Sequence, residues 1–144
     1  MVGDRLTEKE YLSTVQDKEK EILAQREYIE ALRGVLESIT VNMDSERVQS
    51  SSDPDKFGKI FAQIDEEERK LGEMELDFLK FKVEVITAIR QVQTVKHRVL
   101  LYERYINYKS FKVIAGLMNY SYDYILELHR NALEEFGQIP CWFG

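Results

Sequence analysis

Residues 110–136 read SFKVIAGLMNYSYDYILELHRNALEEF, a pattern that predicts two helices separated by a tight turn. Ser110 and Ser121 each suit a helix N-cap, because a serine hydroxyl accepts a hydrogen bond from a free backbone N–H of the first turn. Asn119 tolerates the left-handed backbone that ends a helix. Apolar residues at helical spacing predict the inner faces, which are Phe111, Ile114, Ala115 and Met118, then Ile125, Leu128, Ala132, Leu133 and Phe136. This order is a helix-turn-helix layout.

A third helix is expected just before these two, from Val95 to Ile106, and Asn107-Tyr108-Lys109 ends it. Helical spacing predicts that this helix buries Val99, Leu100, Tyr102 and Ile106. The sequence therefore predicts a three-helix domain over residues 93–136. Spacing alone fits DNA binding, but it also fits three packed helices without that function, because fold does not fix function.

Two series of apolar residues at intervals of seven precede this domain and predict two long helices. The series are Val15, Ile22, Ile29, Leu36 and Met43, then Phe57, Ile64, Leu71, Phe78, Val85 and Val92. Lys18, Gln25 and Glu67 are polar exceptions in the apolar seams. A loop near residues 45–55, with Pro54 before or in the first turn of the second helix, predicts a coiled-coil-like antiparallel hairpin over residues 1–92. Because a two-helix hairpin has a thin core, we expect a homodimer through this arm, or packing on the C-terminal part.

Length and charge limit the functions that the chain can have. The 144 residues carry 20 Lys and Arg against 26 Asp and Glu, a net charge of −6, so any contact with nucleic acid needs a local patch. Residues 90–131 hold seven basic and three acidic side chains and could form such a patch. The single cysteine, the lack of a signal-like N-terminus and the lack of a long apolar stretch predict a cytoplasmic protein that does not enter a membrane.

Residues that could support catalysis or metal binding do not form a recognisable set. The acidic run Asp65–Glu68 spreads its carboxylates around a helix, so we expect solvated surface. His97 and His129 lack cysteine or acidic partners at ligand spacing. Cys141 lies in an apolar tail, residues 137–144, with no base nearby in sequence. The sequence predicts a protein that is not an enzyme and uses no cofactor and no metal.

The C-terminal half resembles region 4 of bacterial sigma factors. The resemblance rests on residues 98–105 (RVLLYERY), Ile114-Ala115, residues 118–121 (MNYS) and the apolar positions from Ile125 to Phe136. The whole chain is similar to a family of small phage and prophage proteins of Gram-positive bacteria, loosely grouped with ArpU- and RinA-like regulators of phage late genes. That family has a helical N-terminal half, an Arg-Val-Gln-Ser-Ser segment, found here at 47–51, and a terminal sigma-like domain. Phe111 stands where the family usually has tryptophan, an exchange of one aromatic core residue for another.

This resemblance implies a DNA-binding regulator of phage transcription in the bacterial host cell, with double-stranded DNA as its partner and host RNA polymerase as a second candidate partner. If the last helix enters the major groove, Tyr122 and Leu126 could contact thymine methyl groups, while Asp123 and Glu127 could accept hydrogen bonds from cytosine. The expected phosphate contacts are Lys109, Lys112, Arg130 and the Ser121 hydroxyl. Acidic side chains on this face otherwise repel phosphate. The alternative is a protein–protein interaction module with the same fold, which would contact RNA polymerase or a phage assembly partner.

Overall fold

The computed structural model describes residues 6–45 and 54–140. It contains five helices, α1 (Glu8–Ser45), α2 (Pro54–Arg90), α3 (Val95–Tyr105), α4 (Phe111–Met118) and α5 (Tyr122–Phe136), and those residues include no strand. The predicted all-α fold, with two long helices followed by shorter ones, is confirmed. Pro54 is the first residue of α2, in agreement with its predicted place before or in the first turn of that helix. Most of the predicted loop, the segment 47–51 and residues 141–144 of the tail lie outside the described residues.

The chain forms two compact units, and each long helix contributes to both. One unit, called here the first unit, combines the described residues up to Glu19 with those from Phe78 onward. The second unit is Lys20–Asp77. The first unit is larger than the domain 93–136 that the sequence predicts, because it also includes the beginning of α1 and the end of α2.

In the second unit, α1 and α2 run antiparallel around a seam of heptad residues. Ile22, Ile29 and Ile64 are buried there, as the heptad series predicted. The polar exceptions Gln25 and Glu67 meet each other, since Gln25 Nε2 donates to the Glu67 carboxylate at 2.8 Å and to its carbonyl at 2.9 Å. The hydrogen bond from Gln25 lowers the pKa of the Glu67 carboxyl. A polar pair inside an apolar seam favours one register over its alternatives.

The core of the first unit is built from all five helices. Its fully buried side chains are Leu12, Val15, Val85, Val92, Leu100, Leu101, Ile114, Ile125, Ala132 and Phe136. The three short helices span only about 45 residues, close to the roughly 40-residue size below which a domain rarely folds without additional support. The long helices therefore supply the missing side of the core.

The orientation of α3 differs from the prediction. Val99 and Tyr102, expected inside, are each 39% exposed, whereas Leu101 and Tyr105 are buried together with the expected Leu100. Four consecutive large apolar residues, Val99 to Tyr102, leave the inward face ambiguous in the sequence. The packing of α3 on α5 decides it in the structure.

The helix-turn-helix element follows the local signals closely. Ser110 Oγ accepts a hydrogen bond from the Val113 N–H at 3.2 Å, and Ser121 Oγ accepts one from the Tyr124 N–H at 3.1 Å. Asn119 ends α4 with φ of 60°, in the left-handed region. Both caps and the helix end match the prediction, so three residues, 119–121, are enough to turn the chain from α4 into α5.

Candidate nucleic-acid interface

The outer face of α5 is the surface on which the sequence places base recognition. Its opposite face is held in the core by Ile125, Leu128, His129 and Ala132. The structure exposes every predicted base-contacting and phosphate-contacting residue of this helix and its cap, namely Ser121, Tyr122, Asp123, Leu126, Glu127 and Arg130. Tyr122 is 48% exposed and Leu126 37%. These side chains therefore share one accessible face, while their contacts with DNA stay a prediction.

Ser121 serves two purposes in this arrangement. Its oxygen is occupied as the N-cap of α5, where it accepts from the Tyr124 N–H. The hydroxyl hydrogen is left to donate, and the free N–H groups of the first helical turn point the same way. A helix N-terminus of this kind favours a nearby phosphate oxygen.

The predicted phosphate-binding lysines and arginine are not equivalent. Lys112 and Arg130 are exposed and form no hydrogen bond or ion pair with any residue that the structure describes. Lys109 instead lies 2.8 Å from the Glu103 carboxylate. Hydrogen bonds from Lys109 and Asn107 lower the pKa of Glu103. Two cations are therefore available to a phosphate backbone, and the third would first have to leave its partner.

Two arginines near this surface are committed to backbone carbonyls. Arg98 Nη1 donates to the Val92 carbonyl at 2.9 Å, and Arg104 Nη1 donates to the Lys109 carbonyl at 3.1 Å. The Arg104 guanidinium also stacks on the Phe111 ring, 4.1 Å from its centroid. Neither arginine forms an ion pair with Glu103, which pairs with Lys109.

A cation that the sequence analysis missed lies beside the turn. Lys96 Nζ donates to the Tyr124 hydroxyl at 3.0 Å and lies 5.6 Å from the centre of its ring. This hydrogen bond raises the pKa of Lys96. The rings of Tyr124 and Tyr120 pack edge to face, with their centroids 4.7 Å apart. Lys96 is 28 residues from Tyr124, so no local pattern could have revealed the pair.

The two acidic side chains on the outer face have no partner among the described residues. Asp123 lies in the first turn of α5, where a negative charge interacts favourably with the helix dipole. Glu127 lies one turn further along the same face and is also exposed. Both carboxylates are thus open to a ligand, and each adds negative charge to the surface that would approach DNA.

Both histidines have structural roles. His129 is buried, and its Nε2 lies 2.7 Å from the Tyr105 hydroxyl. Burial, followed by the charges of Arg104 and Lys9, lowers the pKa of His129 to about 4. His97 Nδ1 lies 2.7 Å from the Glu135 carboxylate, an acidic partner that sequence spacing did not reveal. Glu135 also accepts hydrogen bonds from the backbone N–H groups of Gln93 and Thr94, at 2.8 and 3.2 Å, just before α3 begins.

Within residues 6–45 and 54–140 there is no cluster of three or more His, Cys, Asp or Glu side chains that could hold a metal ion. None of the helices in those ranges combines the length and the apolar character needed to cross a membrane. No family model, no curated protein and no solved structure matches this chain.

Proposed function

We propose that the protein is a sequence-specific DNA-binding regulator of phage transcription that inserts α5 into the major groove. The observation that carries this proposal is the helix-turn-helix element. Its second helix is capped by Ser121, held in the core on one side and exposed on the other. The major groove of B-DNA is wide enough to admit one helix in this manner. The resemblance to sigma region 4 supports the same function, in the cytoplasm of a bacterial host.

The exposed side chains of α5 suit direct reading of bases. Tyr122 and Leu126 present apolar surface to thymine methyl groups. Asp123 and Glu127 can each accept a hydrogen bond from the amino group of cytosine. Lys112, Arg130 and the Ser121 hydroxyl would hold the phosphate backbone on either side of the groove. No cofactor, metal or catalytic step is part of this function, and the long helices would provide a homodimer.

A protein–protein interaction module is the second candidate, and specific side chains favour it. Val113 and Leu117 on α4 are 51% and 57% exposed, and Tyr122 on α5 is 48% exposed. The helix-turn-helix element thus exposes apolar side chains as well as the unpaired Asp123 and Glu127. Such a surface fits a partner with basic and apolar side chains, for example RNA polymerase or a phage assembly protein.

Binding to phage DNA distinguishes the two candidates, and replacement of Glu127 by alanine tests how this residue contributes to that binding. We expect the purified protein to bind a duplex from its own phage genome at low salt. Genome-wide mapping of the bound DNA in a lysogen would identify the sites from which this duplex is chosen. If Glu127 reads cytosine, Glu127→Ala relaxes discrimination at one base pair by about 1–3 kcal/mol. If Glu127 only repels phosphate, the same change tightens binding to every sequence alike.

Glu134→Ala is the matched control, because it removes an equal charge from an exposed position near the other end of α5. It should leave base discrimination unchanged. Titration of each variant against labelled duplexes that differ at single base pairs measures both quantities. A folded protein that binds no fragment of the phage genome at low salt would refute DNA binding and favour the interaction module.

A further inference from the structure

A cavity of about 240 Å³ lies in the first unit, beside the segment that connects α3 to α4. One side of it comes from α1, and the other comes from Arg104, Tyr105, Tyr108 and Ser110. Its lining includes two cationic side chains and no carboxylate among the described residues. The cavity is distinct from the outer face of α5, and the inference drawn from it does not depend on the proposed function.

Arg104 is held in a fixed orientation at this cavity without being neutralised. Its guanidinium stacks on the Phe111 ring, and the centroids of the Phe111 and His129 rings are 4.7 Å apart. One nitrogen, Nη1, donates to the Lys109 carbonyl. The remaining donors of the guanidinium have no partner in the described part of the chain. A planar arginine fork that is already fixed loses little freedom when it binds a phosphate or carboxylate.

The side of the cavity that α1 supplies also carries donors, beside the apolar Leu12. Lys9, Ser13 and Gln16 are spaced four and three residues apart, so they lie on one face of the helix. None of the three side chains forms a hydrogen bond or ion pair with a described residue. Across the cavity, Ser110 Oγ accepts from the Val113 N–H, which leaves its own hydrogen free to donate. The cavity thus has a surplus of positive charge and of donors.

We propose that this cavity binds a phosphate group, held by Arg104 and Lys9 with hydrogen bonds from Ser13, Gln16 and Ser110. Phosphate oxygens accept several hydrogen bonds at once, and arginine binds them in a bidentate manner. The volume is below the roughly 300–1,000 Å³ of sites for drug-sized ligands, so the ligand is small. Two cations balance the charge of a phosphate monoester, about −1.5 to −2 near neutral pH, better than that of a diester. Inorganic phosphate or a small monoester is therefore the expected source, and a phosphodiester of a DNA backbone is the other source of the same chemistry.

The test is an NMR titration of the full chain, which follows the Arg104 Nε–H and the backbone amides of Tyr108 and Ser110. Inorganic phosphate, methyl phosphate and a short DNA duplex are added in separate series, with sodium chloride at matched ionic strength as the reference. We expect saturable shifts of these signals with both small phosphates and not with chloride. Shifts that arise with the duplex alone would assign the source to the DNA backbone if Lys9→Ala weakens them, and would count against the phosphate site if Lys9→Ala leaves them unchanged.

Variants assign the binding to the cavity. Lys9→Ala removes an exposed side chain and should weaken phosphate binding about tenfold, the order expected for the loss of one charged contact. Arg104→Lys keeps the charge but loses the fork and should weaken it further. If Arg104→Lys fails to fold because the stack on Phe111 is lost, Lys9→Ala alone decides. Lys80→Ala, at an exposed position on α2, is the control and should bind like the parent protein. The proposal would be overturned if none of the three ligands gave saturable shifts, or if the parent protein and Lys9→Ala bound phosphate with equal affinity.

Discussion

His129 makes the stability of the first unit depend on pH. Its side chain is buried, and burial together with the charges of Arg104 and Lys9 lowers its pKa from 6.5 to about 4. The folded protein therefore holds a neutral imidazole ring, which forms a hydrogen bond with the Tyr105 hydroxyl. As the pH falls, the unfolded chain takes up the proton first, near pH 6.5. The stabilisation is fully present above pH 6.5 and is lost as the pH falls from 6.5 toward 4.

The size of this effect follows from the difference between the two pKa values. One unit of difference corresponds to about 1.4 kcal/mol, so a fall from 6.5 to about 4 corresponds to about 3 kcal/mol in the free energy of unfolding. For a small protein this is a large share of the roughly 5–15 kcal/mol that separates the folded from the unfolded state.

Urea unfolding between pH 4 and pH 7.5 measures this effect in the parent protein and in the double variant His129→Leu/Tyr105→Phe. The double variant removes both partners, so it leaves no buried hydroxyl without a hydrogen bond. Glu103 and Glu135, whose pKa values are lowered by their hydrogen bonds, lose stabilisation with acid in both proteins and cancel in the difference. We expect the parent protein to lose about 3 kcal/mol more than the variant across this range. Equal slopes, or a His129 ring that titrates near pH 6.5 in the folded protein by NMR, would refute the reasoning.

Three other predictions concern the turn, the long helices and the phosphate contacts. Asn119→Ala should destabilise by about 1 kcal/mol in thermal or urea unfolding, because alanine tolerates the left-handed conformation poorly, whereas Asn119→Gly should be nearly neutral. Phe78→Ala should lower the free energy of unfolding by less than the roughly 3–5 kcal/mol of a fully buried ring, because Phe78 is only partly buried. Light scattering of the intact chain should report a dimer. A strictly monomeric protein whose stability does not change with Phe78→Ala would contradict this expectation. The logarithm of the DNA affinity should fall with the logarithm of the salt concentration with a shallow slope of about −2 to −3, and Lys112→Ala and Arg130→Ala should each reduce its magnitude by about one; a steeper slope would mean that further cations take part.

The features that the sequence predicted correctly are those whose physics is local. Ser110 and Ser121 cap helices through bonds to N–H groups three residues ahead, and Asn119 ends α4 by its own backbone angle. The heptad residues Ile29 and Ile64 are buried for a related reason, because a period of seven keeps residues on one side of a long helix whatever its partner is.

The features that the sequence did not reveal depend on pairs far apart in the chain. In the sequence Gln25 and Glu67 are two separate polar exceptions, yet they form one hydrogen-bonded pair across 42 residues. His97 meets Glu135 across 38 residues. From the sequence alone, a polar residue in an apolar series that has no partner cannot be distinguished from one whose partner lies far along the chain. The phosphate cavity belongs to the same class, because Lys9 and Arg104 are brought together only by packing.

The two faces of α5 answer to different requirements, and Glu127 stands on the outer one. Ile125, His129 and Ala132 fix the helix in the core, whereas the outer acids touch no described residue through a hydrogen bond or ion pair. Asp123 still helps the fold, because it lies in the first turn, where the helix dipole favours negative charge. Glu127 lies beyond that turn, where the dipole effect has faded, and its carboxylate forms no hydrogen bond or ion pair with a described residue. Under the proposed function this carboxylate would accept a hydrogen bond from a cytosine amino group, and in the alternative it would meet a basic side chain of another protein.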